Sequence, residues 1–211
     1  MRIAIIGTGN VGAVLGRRWA QSGHHVVFGS RRPDDEEIRA LVEASGPRTS
    51  VAAPPAAAAA SDVVVLATPG GSAEAVAASL GDLAGKVLVD CTNPILPGLA
   101  GLSVGTDDSG AERIARAVPA ARVVKAFNTT GSANMENPAY PGSRLAMFLC
   151  GDDAHARAVV AGLAAELGFE AVDCGPLKSA RYLEPMAMAW ITLAYPLKNG
   201  PDFGFAVLRR D

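Results

Sequence analysis

The residues with the plainest chemical meaning are three glycines in the run Gly7-Thr8-Gly9-Asn10-Val11-Gly12, entered directly from the apolar stretch Ile3–Ile6. Each glycine has its own task in such a setting. Gly7 allows a tight turn, Gly9 lets the backbone approach a pyrophosphate, and Gly12 lets a helix lie close against the strand before it. The helix expected from Val11 to Ala20 would turn its unpaired N–H groups and positive dipole end toward the phosphates. The chemistry is dinucleotide binding. A glycine-rich turn without a nucleotide is the alternative, and the strand before and helix after weigh against it.

A second group selects the dinucleotide. The apolar run Val26-Val27-Phe28 ends at Gly29-Ser30-Arg31-Arg32. An NAD site usually places a carboxylate about 20 residues after the glycines, where it accepts from the ribose 2′-OH. This strand end offers a hydroxyl and two guanidiniums instead, which suit a 2′-phosphate through charge-assisted, bidentate contacts. Ser30, Arg31 and Arg32 therefore predict NADP, with an ordinary solvated charge as the alternative for either arginine.

Ligands of open parallel sheets lie outside the carboxyl ends of the strands. The other strand ends read Ala67-Thr68-Pro69, Cys91-Thr92-Asn93-Pro94 and Phe127-Asn128-Thr129, rich in small residues, hydroxyls and amides. They hold no Ser/His/Asp set, no paired carboxylate and no activated cysteine. Asp90 and Lys125 are the titratable exceptions, and Lys125 is either a catalytic acid or held in an ion pair or a loop contact. Tyr140, Tyr182 and Tyr195 fall outside this rim. Carbonyl reduction needs a placed proton donor, whereas hydride transfer between two bound rings needs mainly positioning. The expected hydride partner is a flat aromatic cofactor, with no catalytic or metal-ligating residue assigned.

The elements that must position these residues alternate. Strands at Asp62–Ala67, Lys86–Asp90 and Arg122–Ala126 are nearly continuous apolar runs, as parallel strands covered on both faces should be. Thr49-Ser50-Val51 is a shorter one. Helices are expected at Pro33–Gly46, Ala56–Ala60 behind Pro54-Pro55, Ser72–Leu80 and Ala111–Val118. Pro94–Ser109 is the longest irregular segment, of the kind that tends to be functional. The fold class is α/β: a doubly wound parallel Rossmann sheet with helices on both faces and a small C-terminal extension.

Two further strands, Leu145–Cys150 and Phe169–Cys174, flank a helix from Ala154 to Leu167. Ser179–Ala194 is apolar almost all round, so it needs cover on more than one side, from its own sheet or from a second subunit. Pro185 is expected to start or kink it. The chain divides into a dinucleotide-binding part, 1–140, and a C-terminal part, 141–211. The latter packs on the same sheet, completes the substrate pocket and offers a homodimer interface.

Composition bounds the rest. With 211 residues, 49% of them hydrophobic, the chain can bury a substantial core, and its net charge of −2 argues against a nucleic-acid surface. Cys91, Cys150 and Cys174 are odd in number and lack metal-ligand spacing, so they read as reduced thiols. A strand at residue 2 leaves no space for a signal peptide, and no apolar stretch is long enough to cross a bilayer. The expected location is cytoplasmic, away from membranes.

Taken together, Gly7-Thr8-Gly9-Asn10-Val11-Gly12, Gly29-Ser30-Arg31-Arg32, Leu66-Ala67-Thr68-Pro69, Gly151-Asp152-Asp153 and Asp173-Cys174-Gly175-Pro176-Leu177 with Ser179-Ala180-Arg181 resemble the NADPH-dependent coenzyme F420 reductases. The resemblance runs over essentially the whole chain, and the superfamily includes the reductase domains of membrane metalloreductases. It implies NADPH held by Thr8, Gly9, Asn10 and Val11, with Ser30 and Arg31 on the 2′-phosphate. It also implies a deazaflavin ring over the nicotinamide near Asn128–Ser132. Two features depart from the pattern. Asp34 and Asp35 stand where members carry a basic residue, and Lys125-Ala126-Phe127-Asn128-Thr129-Thr130 is closer to the flavin-using reductase domains. The expected function is an NADP-dependent oxidoreductase passing hydride between NADP(H) and F420 or a related flavin. Reduction of another small substrate, or a non-catalytic dinucleotide sensor, are the competing readings.

Overall fold

Five strands in the first part of the chain are short, apolar and β-branched, and they alternate with helices. They are β1 (Arg2–Ile6), β2 (His25–Gly29), β3 (Thr49–Ala52), β4 (Val63–Leu66) and β5 (Val87–Asp90); β6 (Arg122–Lys125) follows a longer loop. In the computed structural model, which describes residues 1–210, these six pair in parallel in the order β3-β2-β1-β4-β5-β6. The central strands β4 and β5 are buried at every residue. That is why they read as unbroken apolar runs and not as an alternation.

The pleat still sorts side chains into two layers. Ile3, Ile5, Val63, Val65, Val87 and Val89 face one layer with Leu15 and Trp19 of α1 (Asn10–Gln21) and Val160 and Leu163 of α7 (Ala154–Glu166). Ala4, Ile6, Val64, Leu66 and Leu88 face the other. That layer holds Ala57 and Ala58 of α3 (Pro54–Ala59), Ala73 and Ala77 of α4 (Ala73–Ala78), Ile114 of α5 (Gly110–Ala117) and Leu183 of α8 (Ala180–Ala194). Helix α2 (Glu36–Ser45) lies at the outer edge, with Leu41 and Val42 packed on the first layer. Pro54 opens α3, where its missing N–H has no helical partner to lose.

The sheet is not parallel throughout. β9 (Ala146–Gly151) pairs antiparallel with β6, with Lys125 opposite Cys150, and β10 (Glu170–Asp173) then pairs parallel with β9. The connection explains the reversal. Parallel neighbours need a crossover that carries the chain back across a sheet face. Between β6 and β9 there is only α6 (Ser132–Glu136), about 7.5 Å of helix, and the two-residue strands β7 (Ala139–Tyr140) and β8 (Ser143–Arg144) of a hairpin. These elements are too short to leave a periodic trace in the sequence.

Pro185 neither starts nor sharply ends α8, which begins at Ala180 and runs on through it. The proline is exposed, so water can take the carbonyl its missing N–H leaves unpaired. The tail beyond α8 has no regular structure but is tied down. Phe203 O accepts from Trp190 Nε1 at 3.0 Å and from Asn134 Nδ2 at 2.7 Å, and Phe205 O accepts from Ala146 N at 2.8 Å. No helix among the described residues is long and apolar enough to cross a membrane.

Candidate functional site

The glycine turn has the geometry that its three positions require. Gly7 adopts a φ of +110°, and a Cβ there would lie 2.4 Å from Ala67 O at the end of β4. A Cβ on Gly12 would lie 1.9 Å from Gly7 O, so helix α1 can sit this close to β1 only without a side chain. Gly9 differs. It is exposed, and nothing lies within 4 Å of the space its Cβ would fill. It is also the N-cap of α1 and provides no side-chain cap. The first N–H groups of the helix therefore face that open space unpaired, a cradle for an anionic oxygen.

At the end of β2, Ser30 Oγ accepts from Arg32 N at 3.1 Å and so holds the turn that presents both arginines. Arg32 Nε lies 3.3 Å from Asp35, although its side chain remains 80% exposed. Arg31 is exposed and makes no ion pair or side-chain hydrogen bond among the described residues. The two guanidiniums are thus unequal: Arg31 is uncommitted, while Arg32 already shares a carboxylate.

The remaining rim lies at the ends of β4, β5 and β6. Ala67 N donates to Ile6 O at 2.8 Å, Pro69 is exposed, and Thr68 carries a buried Oγ1 without a partner. A Cβ on Gly70 would meet Asn93 O at 1.8 Å, so the loops after β4 and β5 press together with Thr92 and Pro94 buried behind them. Asn93 Nδ2 donates to Asn128 O at 2.9 Å, and Asn128 Nδ2 donates back to Asn93 Oδ1 at 3.0 Å. Asn128 Oδ1 and Thr129 Oγ1 are buried and unpartnered. Ser132 opens α6 behind Gly131, whose Cβ position would touch the Trp190 ring at 2.6 Å.

Two rim candidates turn inward. Phe127 adopts a φ of +59°, and its ring is 1% exposed, edge-on to Trp19 with centroids 5.5 Å apart. Any contact from this position to a ligand must come from the backbone, so the expectation that its side chain lines the site is corrected. Lys125 is fully buried, with Nζ 2.8 Å from Asp90 Oδ2 and 3.0 Å from Glu184 Oε1. Burial alone would discharge the ammonium, but the Asp90 and Glu184 carboxylates outweigh it and hold its pKa above the ordinary value. The structure shows Lys125 in the ion pair and also in the loop contact, donating to Thr92 O. Glu184 had no signal in the sequence, because it is one carboxylate on an apolar helix far along the chain.

The thiols offer no nucleophile. Burial pushes Cys91 far up, with Asp90 adding to it, and desolvation pushes Cys150 up to about 12. Tyr140 donates its hydroxyl to Asn134 Oδ1 at 2.8 Å, an arrangement beside α6. The polar groups of the rim are amides, hydroxyls and backbone, several of them buried.

An open glycine cradle and three orphaned polar atoms at neighbouring strand ends fit a dinucleotide whose polar head end would satisfy them. Unpaired buried acceptors and hydroxyls are otherwise costly, by about 1–3 kcal/mol each.

Comparison with known proteins agrees. The model of the family "NADP oxidoreductase coenzyme F420-dependent" matches residues 2–94. The F420-dependent NADP reductase of Methanothermobacter thermautotrophicus is 35% identical over 208 residues, covering 92% of this chain and 89% of that protein. Metalloreductase STEAP3 of Rattus norvegicus is 30% identical over 190 residues, covering 89% of this chain, which spans only 36% of that longer protein. A crystal structure from Arthrobacter sp. FB24, described as that of a candidate F420-dependent NADP-reductase, superposes with a TM-score of 0.89 at 34% identity. It covers 98% of this chain and 99% of the other.

Proposed function

The chain belongs to the F420-dependent NADP reductase family and is an NADP-dependent oxidoreductase; from that premise we propose that it passes hydride between NADP(H) and coenzyme F420 or a related flavin. The observation that carries the proposal is the chemistry of the rim. Thr68 Oγ1, Asn128 Oδ1 and Thr129 Oγ1 are buried without partners, and the nearby Lys125 is committed to Asp90 and Glu184. Such a rim can orient two rings and exclude water, but it cannot deliver a proton to a carbonyl oxygen.

The nicotinamide cofactor, when bound, would give hydride as NADPH or take it as NADP⁺. The chain's own residues do the rest. Gly7, Thr8, Gly9, Asn10, Val11 and Gly12 hold the pyrophosphate on the N-terminus of α1, and Ser30, Arg31 and Arg32 hold the 2′-phosphate. Ala67, Thr68, Pro69, Thr92, Asn93, Pro94 and the backbone of Phe127 wall the nicotinamide end, where Asn128 stands between the two rings, with Ser132 toward the acceptor.

Residues 141–211 complete the acceptor side in this reading. The loop after β5 and helix α8 form a cleft of about 490 Å³ lined by Leu102, Val104, Pro185, Met188 and Thr192. Val104 also lines a smaller cavity that reaches Thr92 and Pro94 of the rim. Mixing the protein with NADPH and F420, FMN or FAD, and following the reduced-nicotinamide absorbance, tests the acceptor directly. Oxidation of NADPH by at least one of the three is expected. Tight NADPH binding with none of them reduced would replace hydride transfer by a sensor role. Asn128→Ala is expected to lower turnover about 10- to 100-fold with little change in NADPH affinity. Parallel loss of affinity and turnover would assign Asn128 to ground-state binding.

The same reading makes the protein a homodimer. Tyr182, Leu193, Tyr195 and Leu197 are exposed on and after α8, at 72%, 38%, 55% and 60%. A second copy covering them would account for a helix that is apolar on most sides. Sedimentation equilibrium checks this: a mass of two chains is expected, and a monomer at high concentration would overturn it.

A further inference from the structure

Directly behind the rim sits a buried ion cluster that the proposed hydride transfer does not use. Asp90 ends β5, Lys125 ends β6 and Glu184 lies on α8, each at most 1% exposed. The ammonium donates to Asp90 Oδ2 and to Thr92 O, and Glu184 Oε1 stands 3.0 Å from it as a second counter-charge. Asp90 Oδ1 accepts from Thr92 N at 2.9 Å and Thr92 Oγ1 at 2.7 Å. Glu184 accepts from Gly110 N at 3.0 Å and Ala111 N at 3.1 Å, capping α5 from a different helix. β5 with its following loop, β6 and α8 meet at one cation, and α5 joins through Glu184.

Stability is a poor reason for such a cluster. Taking ions out of water costs several kcal/mol each, and well-packed apolar replacements are often equal or better. What the cluster fixes is the amide clasp beside it. Lys125 holds the Thr92 carbonyl, and the next residue, Asn93, takes and gives hydrogen bonds with Asn128. Glu184 holds the turn of α8 at Leu183, whose carbonyl accepts the second Asn128 Nδ2 proton at 3.1 Å. With both Nδ2 protons committed, the Asn128 amide has one orientation. Its Oδ1 is then a buried acceptor with no donor in the protein.

We infer that Asp90, Lys125 and Glu184 are positioning residues: the buried ion cluster sets the plane of the Asn128 amide, and so aims its free oxygen at an N–H donor of the ligand. On the hydride-transfer reading above, that donor is the carboxamide N–H₂ of the nicotinamide. An aromatic ring anchored at this one point is fixed in rotation about its glycosidic bond, which determines the face it presents.

The triple variant Asp90→Asn/Lys125→Met/Glu184→Gln removes the charges and retains an acceptor for Thr92 and for one of the Gly110 and Ala111 N–H groups, which donate to different oxygens of Glu184. The ligand-free protein, without any acceptor, gives the first readout. Solvent exchange of the Asn128 side-chain amide protons, followed by NMR, should quicken at least about tenfold while backbone amides of β4 and β5 keep their protection. Unchanged Asn128 exchange in a folded variant would overturn the proposal. A uniform quickening of Asn128 and of the strands together would also overturn it, since the cluster would then be only structural. If the triple variant does not fold, Glu184→Gln, which keeps the Lys125–Asp90 pair, answers the same question by the same comparison.

The second readout is bound NADP⁺. Transferred nuclear Overhauser effects report one glycosidic conformer on the native protein and should report a mixture on the variant, with dissociation constants within about threefold because the phosphates dominate binding. A single conformer on both proteins would overturn the positioning role. This measurement needs no second substrate, so failure of F420 and flavins as acceptors leaves it intact, and the two failures are distinguishable.

Discussion

Replacing Gly9 by valine is expected to abolish NADPH binding while leaving the melting temperature of the free protein unchanged. No atom lies within 4 Å of the position a Cβ would take there, and Gly9 sits at a φ of −75° that any residue adopts. The folded chain therefore has room for the side chain. The ligand does not, because the valine methyl groups would occupy the space in front of the unpaired N–H groups of α1. NADPH at a hundred times its dissociation constant stabilises a protein by about 2.7 kcal/mol. For a chain of this length that is about 5–11 °C in melting temperature, at about 2–4 °C per kcal/mol. Thermal scans with and without NADPH should show this shift in the native protein and none in Gly9→Val. A retained shift would mean the turn is not the pyrophosphate site. The contrast is Gly12→Ala, where the added Cβ would fall 1.9 Å from Gly7 O and folding itself should fail.

The second large effect concerns cofactor choice. Arg31 is exposed and unpaired beside Ser30, so its guanidinium is free to take a 2′-phosphate in two charge-assisted hydrogen bonds. Losing them should cost about 1.5–3 kcal/mol, or about 10- to 150-fold in affinity. Arg31→Ala is thus expected to weaken NADPH by that factor and to leave NADH nearly unaffected, as read by fluorescence titration of both nucleotides. Arg32→Ala should cost less, because Arg32 already lies 3.3 Å from the Asp35 carboxylate. Equal affinities of the native protein for NADPH and NADH would remove the basis of both predictions.

What the sequence determined by itself is the local chemistry. The glycine spacing, the missing carboxylate after β2 and the apolar runs of β4 and β5 are each written within a few consecutive residues. A turn, a strand end and a buried parallel strand are short-range consequences of residue type. The six parallel strands and the order of candidate rim segments follow from them once crossovers are taken as right-handed. The resemblance carried by Gly-Thr-Gly-Asn and Gly-Ser-Arg-Arg named the family for the same reason, since both motifs are contiguous.

Only the tertiary structure decided what depends on residues far apart. Lys125 reads as acid, ion pair or loop contact until Glu184, 59 positions away on α8, is seen 3.0 Å from its nitrogen. Phe127 reads as a rim ring until its positive φ turns it onto Trp19. The reversal of β9 hides in a connection whose helix has five residues, too few for a period to register. Arg31 and Arg32 are neighbours of the same type, yet Asp35 reaches only one of them. In each case the deciding quantity is a distance or a direction across the fold. Residue types fix which interactions are available, and the packing of helices on both faces of the sheet fixes which of them are made.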